Sequence, residues 1–291
     1  MKKVFLSIFA VVFLSSDCFS EDVSKYLQDI SVTVKAKSGV ASSEGSGVIF
    51  TRDIKFSGGS KKVNFVLTAA HVIDGLRSTR SIVDPTGSVK KIVEFQDAEI
   101  VKKLVENGRT VGQLSVDAKV LKYSDAKEGE DVAILMIRKV GFVDVSGKVF
   151  TDKDGVGVPI GTQLYHVGSL LGEMGSNSMT TGIMSQIGRT VSINNGPKTI
   201  FDQTTVTAFP GSSGGGVYLL DGQYIGMLVR GSGETFNLIV PMRRMVSWAT
   251  QEKVMWVLNS SIEAPSFEEI EKMPTELQAK IEDTNHYMKG A

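Results

Sequence analysis

Apolar and polar positions alternate along most of this chain in short runs, each closed by a turn signal. From residue 28 onward a first set of runs reads Ile30-Ser-Val-Thr-Val-Lys, Gly47-Val-Ile-Phe, Val63-Asn-Phe-Val-Leu-Thr, Ala118-Lys-Val-Leu-Lys-Tyr and Asp131-Val-Ala-Ile-Leu-Met-Ile. A second set comprises Gln163-Leu-Tyr-His-Val-Gly, Met179 to Ser185, Phe201 to Thr207, Gly216 to Leu220, Gln223 to Val229 and Phe236 to Val240. Short strands recurring every 8–12 residues or so predict an all-β sandwich or barrel, not alternating strand and helix. Residues 139–161, rich in glycine and charge, divide the two sets and read as a linker between two β-domains.

Two stretches depart from this rhythm. Residues 97–107 carry apolar side chains at 100, 101, 104 and 105 and end on Asn107-Gly108, which predicts a helix and its stop. That helix is expected to be a surface insertion or, alternatively, a lid over the cleft. A second helix is predicted to start after Pro241, through MRRMVSWATQEKVMWVL. Residues 261–291 form a polar tail with a helical candidate ending in HYMKGA, and carry no glycine-rich or β-rich module.

Composition narrows the class. The chain has 291 residues, 42% hydrophobic and 22% charged, enough for a sizeable core. Lys plus Arg equals Asp plus Glu at 32 each, so no nucleic-acid footprint is expected. Outside the N-terminus no apolar run is long enough to span a bilayer. The N-terminus itself has two lysines, a mostly apolar run from Val4 to Ser16, and then small residues. This is the layout of a secretory signal over residues 1–20, with Cys18 and Ser20 at −3 and −1 of a cleavage site. A buried N-terminal helix or strand is the alternative, and a lipid anchor at Cys18 would suffer from Asp17 before it. The expected destination is a periplasm or the exterior, with no stable membrane insertion after cleavage. Cys18 is the only cysteine, so stability must come from burial. Three scattered histidines and no H-E-x-x-H predict no metal and no cofactor.

The stretch FPGSSGGGVYLLDGQYIG, residues 209–226, is where chemistry concentrates. Gly211-Ser-Ser-Gly-Gly215 matches G-x-S-x-G, but the elbow that this motif marks needs a helix next and a histidine later in the chain. Here Asp-Gly between apolar runs signals a hairpin, and only His286 follows. The other reading is a serine on a glycine loop between strands, served by acid–base groups earlier in the chain. His71, in Val66-Leu-Thr-Ala-Ala-His-Val-Ile, sits where a buried strand turns into a short helix. Asp131, in Glu128-Gly-Glu-Asp-Val-Ala-Ile-Leu, sits at the mouth of an apolar strand, either as an acid needing a partner or as a strand-end cap. His166 is expected to be a satisfied core side chain and His286 exposed.

The order TAAHV, DVAIL, PGSSGG resembles the chymotrypsin-fold, trypsin-like serine proteases, most of all their bacterial HtrA/Deg branch. Gly45-Ser-Gly-Val-Ile, Gly168-Ser-Leu-Leu-Gly, Thr181-Gly-Ile-Met-Ser, Gln203-Thr and Val240-Pro fit the same branch. The resemblance implies an all-β fold of two six-stranded antiparallel β-barrels with a C-terminal helix. It divides the chain into residues 21–145, residues 146–260 including the helix, and the tail. It implies a serine endopeptidase acting on unfolded or flexible polypeptides, with Ser213 as nucleophile, His71 as general base and Asp131 orienting the imidazole. Backbone N–H groups of Gly211 and Ser213 would form the oxyanion hole. Thr207, six residues before the serine, and Ala208 would form a pocket for a small or medium apolar side chain, while Val229, Arg230 and Gly231 would pair with extended substrate. The chain departs from the branch in having no PDZ-like module, in the 60 positions between His71 and Asp131, and in Leu170 where the branch usually has proline. Ser212 is read as a loop residue. A catalytically silent peptide-binding pseudoprotease is the alternative from another class, and an esterase of another fold is a third.

Overall fold

In a computed structural model, residues 17–39, 41–83, 89–127, 129–152, 157–192, 196–231 and 235–276 are described. Most of their β-branched residues fall in fifteen strands. The first eight are β1 (Ser31–Ser38), β2 (Ala41–Phe56), β3 (Gly59–Thr68), β4 (Arg77–Val83), β5 (Val89–Phe95), β6 (Ala98–Glu106), β7 (Arg109–Ser124) and β8 (Val132–Ile137). Six of them close a barrel in the order β1-β2-β3-β8-β7-β6, and β4 pairs only with β5 as a separate two-stranded hairpin. Every residue of β8, Val-Ala-Ile-Leu-Met-Ile, is buried, as its unbroken apolar run requires.

The predicted helix at 97–107 does not exist. Residues 98–106 are strand β6, which pairs with β1 through Thr33 and Val101 and with β7 along its length. The apolar pairs 100–101 and 104–105 mimic a helical stripe, but Ile and Val are stiff β-formers and β6 is needed to close the barrel. Asn107 and Gly108 adopt φ of 50° and 74°, so what reads as a helix stop is a two-residue hairpin turn. Neither a surface helix nor a helical lid is present there. The surplus length between His71 and Asp131 goes instead into the β4–β5 hairpin and the long β6–β7 hairpin.

The second half contributes β9 (Lys148–Val149), β10 (Gln163–Leu170), β11 (Gly175–Ser192), β12 (Lys198–Thr204), β13 (Gly216–Tyr218), β14 (Gln223–Gly231) and β15 (Asn237–Pro241). They run in the order β13-β10-β11-β12-β15-β14, and pairing of β13 with β14 brings these six back on themselves. β9, from the stretch read as a linker, adds in parallel to the start of β14.

Helices lie outside the barrels: α1 (Asp17–Asp29), α2 (Ala70–Ile73), α3 (Met242–Gln251), α4 (Met255–Leu258) and α5 (Phe267–Glu271). The single helix expected after Pro241 is two, interrupted where Lys253 takes φ 58°. α5 opens on a capping box between Ser266 and Glu269. Residues 1–16 of the expected signal, and the HYMKGA segment with His286, lie outside the described residues. α1 runs unbroken through the expected cleavage point after Ser20, and its Leu27 is fully buried. No described helix is long and apolar enough to cross a membrane.

The two sheets meet along a seam. Phe50 on β2 packs edge-on to Tyr224 on β14, centroids 5.9 Å apart. Ser46 on β2 is the polar tie: its hydroxyl donates to the Gly211 carbonyl and accepts the Ser169 N–H, both at 2.7 Å, and its own N–H donates to the Ser213 carbonyl at 2.7 Å. A small polar residue between Gly45 and Gly47 is therefore required to bring the glycine loop of one barrel onto the wall of the other.

Candidate active site

His71 reaches the seam because β3 ends in small residues. Thr68-Ala69-Ala70 lets the chain turn at once into the single-turn helix α2, and His71 projects from it with its side chain 23% exposed. Asp131 comes from the mouth of β8 in a left-handed conformation, φ 57°, one that aspartate tolerates better than most residues. That twist lets one residue serve both ends of the turn. Its carbonyl accepts the Ala70 N–H at 3.3 Å, while its carboxylate Oδ1 accepts the His71 backbone N–H at 3.0 Å. The His71 ring nitrogen Nδ1 lies 3.0 and 2.9 Å from Oδ1 and Oδ2. With its side chain 7% exposed, the carboxylate needs such donors, and they fix the imidazole with Nδ1–H toward the acid. From behind, Arg244 on α3 holds the neighbouring Glu130, its Nε 2.7 Å from Oε2, so the second half of the chain braces the loop that carries Asp131.

Ser213 sits at the tip of the 209–215 loop. Ser212 is buried and its hydroxyl accepts the Phe209 N–H, which makes it a structural member of the loop. Gly211 and Gly214 take φ of 93° and 89°. A side chain at Gly214 would meet the Ser46 carbonyl and Thr68, and one at Gly211 would meet the Ser169 carbonyl. Glycine is demanded twice, by conformation and by backbone contact. Among the described residues the N–H groups of Gly211 and Ser213 make no hydrogen bond, unlike those of Ser212, Gly214 and Gly215.

The strand behind the serine carries a bulge: Leu228 pairs with Ile239 and Arg230 with Leu238, leaving Val229 out of register. Bulges of this kind re-aim backbone groups beside sites. The Val229 carbonyl accepts the Ser213 hydroxyl at a long 3.4 Å and the Arg230 guanidinium at 2.9 Å. The same guanidinium nitrogen lies 2.9 and 3.2 Å from Nδ1 and Nε2 of His71, and the other terminal nitrogen is 3.6 Å from Asp131. No hydrogen bond joins Ser213 to His71 among the described residues. Arg230, which the resemblance places only on the substrate-pairing strand, instead contacts the His71 ring and shares the Val229 carbonyl with Ser213.

Thr207 and Ala208 follow β12, half-buried; Thr180 donates to the Thr207 carbonyl at 3.0 Å. Ala208 and Gly231 approach closely enough that a methyl at Gly231 would stand in van der Waals contact with the Ala208 methyl, at 3.9 Å. Asn237, the first residue of β15, is fully buried and packs against Gly231 from the neighbouring strand. His166 is fully buried as expected, but half satisfied: Nδ1–H donates to the Gly216 carbonyl at 2.9 Å, and Nε2 has no partner among the described residues. Burial pushes its pKa down to about 4.

Two barrels sharing a seam, with a carboxylate-held imidazole on one side and a serine loop on the other, are the architecture of chymotrypsin-type serine proteases. The chain belongs to the trypsin-like peptidase family, whose domain model, "Trypsin-like peptidase domain", matches residues 45–227. It lies on the HtrA branch. "Serine protease Do-like HtrA" of Lactococcus lactis subsp. cremoris is 31% identical over 232 residues, covering 78% of this chain and 47% of that protein. The chain thus spans about half the length of the curated relatives it matches. The crystal structure of Deg5 superposes with a TM-score of 0.56 at 19% identity, over 83% of this chain and 97% of Deg5. The serine endoprotease from Yersinia pestis gives 0.54 at 18% identity, over 81% and 66%. These two likenesses speak for the fold alone.

Proposed function

We propose that this protein is an exported serine endopeptidase that cleaves extended, unfolded segments of polypeptide through Ser213, His71 and Asp131. The observation that carries this reading is the pair of contacts from Asp131 to the backbone and ring of His71, which turn Nδ1 toward the acid and leave Nε2 to act as the base once Arg230 withdraws. In the reaction Nε2 takes the Ser213 proton as Oγ attacks the scissile carbonyl. The oxyanion is received by the Gly211 and Ser213 N–H groups, and Asp131 stabilises the imidazolium without taking its proton. The imidazolium then protonates the leaving amine, and water, deprotonated by the same nitrogen, resolves the acyl-enzyme. Substrate adds as a strand along Val229–Gly231, where the bulged Val229 carbonyl is available to a peptide N–H once Arg230 withdraws.

The observation favouring a silent peptide-binding protein is Arg230 lying over His71 without a Ser213–His71 bond. Catalytic hydrogen bonds often close only with substrate, so this arrangement is compatible with activity. A fluorophosphonate probe at neutral pH separates the two. The endopeptidase labels at Ser213, loses labelling in Ser213→Ala, and degrades an unfolded protein. Absence of labelling and turnover would establish the binding protein.

A further inference from the structure

Arg230 is at odds with the chemistry proposed above. Arg77, Arg80, Arg138, Arg243 and Arg244 each hold a carboxylate oxygen within 2.9 Å. Arg230 holds none that close: its nearest acid among the described residues, Asp131, stands 3.6 Å away and is already engaged by the backbone and ring of His71. One terminal nitrogen serves the Val229 carbonyl and faces the imidazole, and the other guanidinium nitrogens make no hydrogen bond among the described residues. The side chain is 28% exposed, so an incoming group can reach it. Its resting place also opposes turnover. Once Nε2 has taken the Ser213 proton the imidazole is a cation, and a guanidinium nitrogen 3.2 Å from that atom is a like charge beside it. The guanidinium has to be drawn aside, and a carboxylate is the group that draws it.

Strand geometry selects the substrate residue that can carry this carboxylate. Gly214 donates to the Leu228 carbonyl at 2.8 Å and Leu228 to the Gly215 carbonyl at 2.9 Å, which seats the serine loop against β14. Beyond Leu228 the strand pairs only with β15, so the other edge of Val229–Gly231 is open among the described residues. The Val229 carbonyl is also the one that the Ser213 hydroxyl reaches. A peptide added antiparallel, with the carbonyl of its scissile bond at Ser213, brings the N–H of that same residue to Val229. The residue before it then lies opposite Arg230. Side chains opposite one another in an antiparallel pair stand about 5 Å apart, well within reach of a guanidinium. We propose that Arg230 is a specificity-determining residue, selecting glutamate or aspartate at the second residue before the cleaved bond, and that the substrate carboxylate draws the guanidinium off His71. This deepens the endopeptidase reading and rests on it. Glutamine fills the same space as glutamate without the charge, so size does not distinguish the two.

The test uses two fluorogenic peptides that differ only in glutamate or glutamine at the second residue before the cleaved bond. At low salt wild-type protein is expected to cleave the glutamate peptide about 10-fold faster in kcat/KM, the scale of one hydrogen bond to a charged group. The ratio should shrink as salt is raised, because the pair is partly exposed. Arg230→Ala should bring the ratio to about one, speeding the glutamine peptide and not the glutamate peptide. Arg230→Lys should keep part of the preference, and Arg230→Glu should turn it toward a lysine peptide of the same frame. A role confined to holding the Val229 carbonyl would not follow charge in this way. The wild-type ratio decides without any variant: equal rates, or faster cleavage of the glutamine peptide, overturn the proposal while leaving the endopeptidase intact. Binding of both peptides to Ser213→Ala, followed by calorimetry, reads the contact without turnover. If wild-type protein cleaves neither peptide nor an unfolded protein, the endopeptidase reading fails. In that event tighter binding of the glutamate peptide still supports Arg230 as the selecting residue, and equal binding overturns it.

Discussion

One terminal nitrogen of Arg230 lies 2.9 Å from Nδ1 and 3.2 Å from Nε2 of His71. Near-equal separation from two ring nitrogens places the cation over the imidazole rather than on either lone pair. The same nitrogen donates to the Val229 carbonyl, the group an incoming peptide would use. Substrate must therefore displace a hydrogen bond before it can pair. Arg230→Ala is expected to raise kcat/KM for neutral peptides about 2- to 10-fold, the equivalent of one ordinary hydrogen bond, mostly through a lower KM. A fall in kcat instead would show that the guanidinium positions His71.

Asp131 holds both the backbone and the ring of His71, so Asp131→Asn leaves the turn nearly isosteric while presenting an amide to Nδ1. The imidazole then favours the wrong tautomer. A loss in kcat on the order of 10,000-fold with KM little changed is expected. Steady-state kinetics against an unchanged melting temperature check it.

Gly211 and Gly214 have positive φ and backbone neighbours where a Cβ would stand. Gly211→Ala and Gly214→Ala should each lower kcat about 100-fold or more, since either displaces the N–H groups proposed to receive the oxyanion. Gly222→Ala shares a positive φ, 85°, in the remote turn between β13 and β14. It should cost about 1 kcal/mol of stability and leave kcat intact. Comparing the three separates loop geometry from backbone strain.

His166 gives the fold an acid sensitivity. Its pKa is about 4 when buried, against about 6.5 in the unfolded chain, so between these values the unfolded state takes up a proton that the folded state refuses. Its contribution is fully present above pH 6.5 and lost as pH falls through about 4. The loss amounts to about 3 kcal/mol. His166→Asn, whose side-chain N–H can still serve the Gly216 carbonyl, should remove most of this term. Urea midpoints at pH 7 and pH 4 for both proteins measure it.

Arg52 fastens the C-terminal segment to the first barrel. Its guanidinium donates to carbonyls of Trp256, Asn259 at 2.6 Å and Ile262 at 2.7 Å, the loose ends of α4 and the turn after it. Arg52→Ala strands those acceptors in a half-buried place and should destabilise the protein by about 3 kcal/mol, with proteolysis starting beyond residue 254.

Local signals carried a good deal of this. Short runs rich in Val, Ile and Phe located the strands over 31–35, 63–68 and 132–137, because β-branched and aromatic side chains fit a pleated surface, and the unbroken apolar run of the last marks a strand buried on both faces. Small residues before His71 announced a tight turn, and Gly211 and Gly214 announced positive φ. The same local logic misread residues 98–106, where two apolar pairs fit both periods and only the open edges of β1 and β7 decide between them. It also joined α3 to α4, because nothing in Glu252-Lys253 forbids a helix locally.

The sequence by itself determined which residue types stand at which turns and strands, because backbone conformation and side-chain periodicity are properties of neighbours in the chain. What meets beyond the local chain was set by the tertiary structure: Asp131 with His71 within the first barrel, and, across the seam, Ser46 with the glycine loop and Arg230 over the imidazole. Those pairings join residues tens to more than a hundred positions apart. Their distances follow from how two barrels close and dock, which no window of sequence contains.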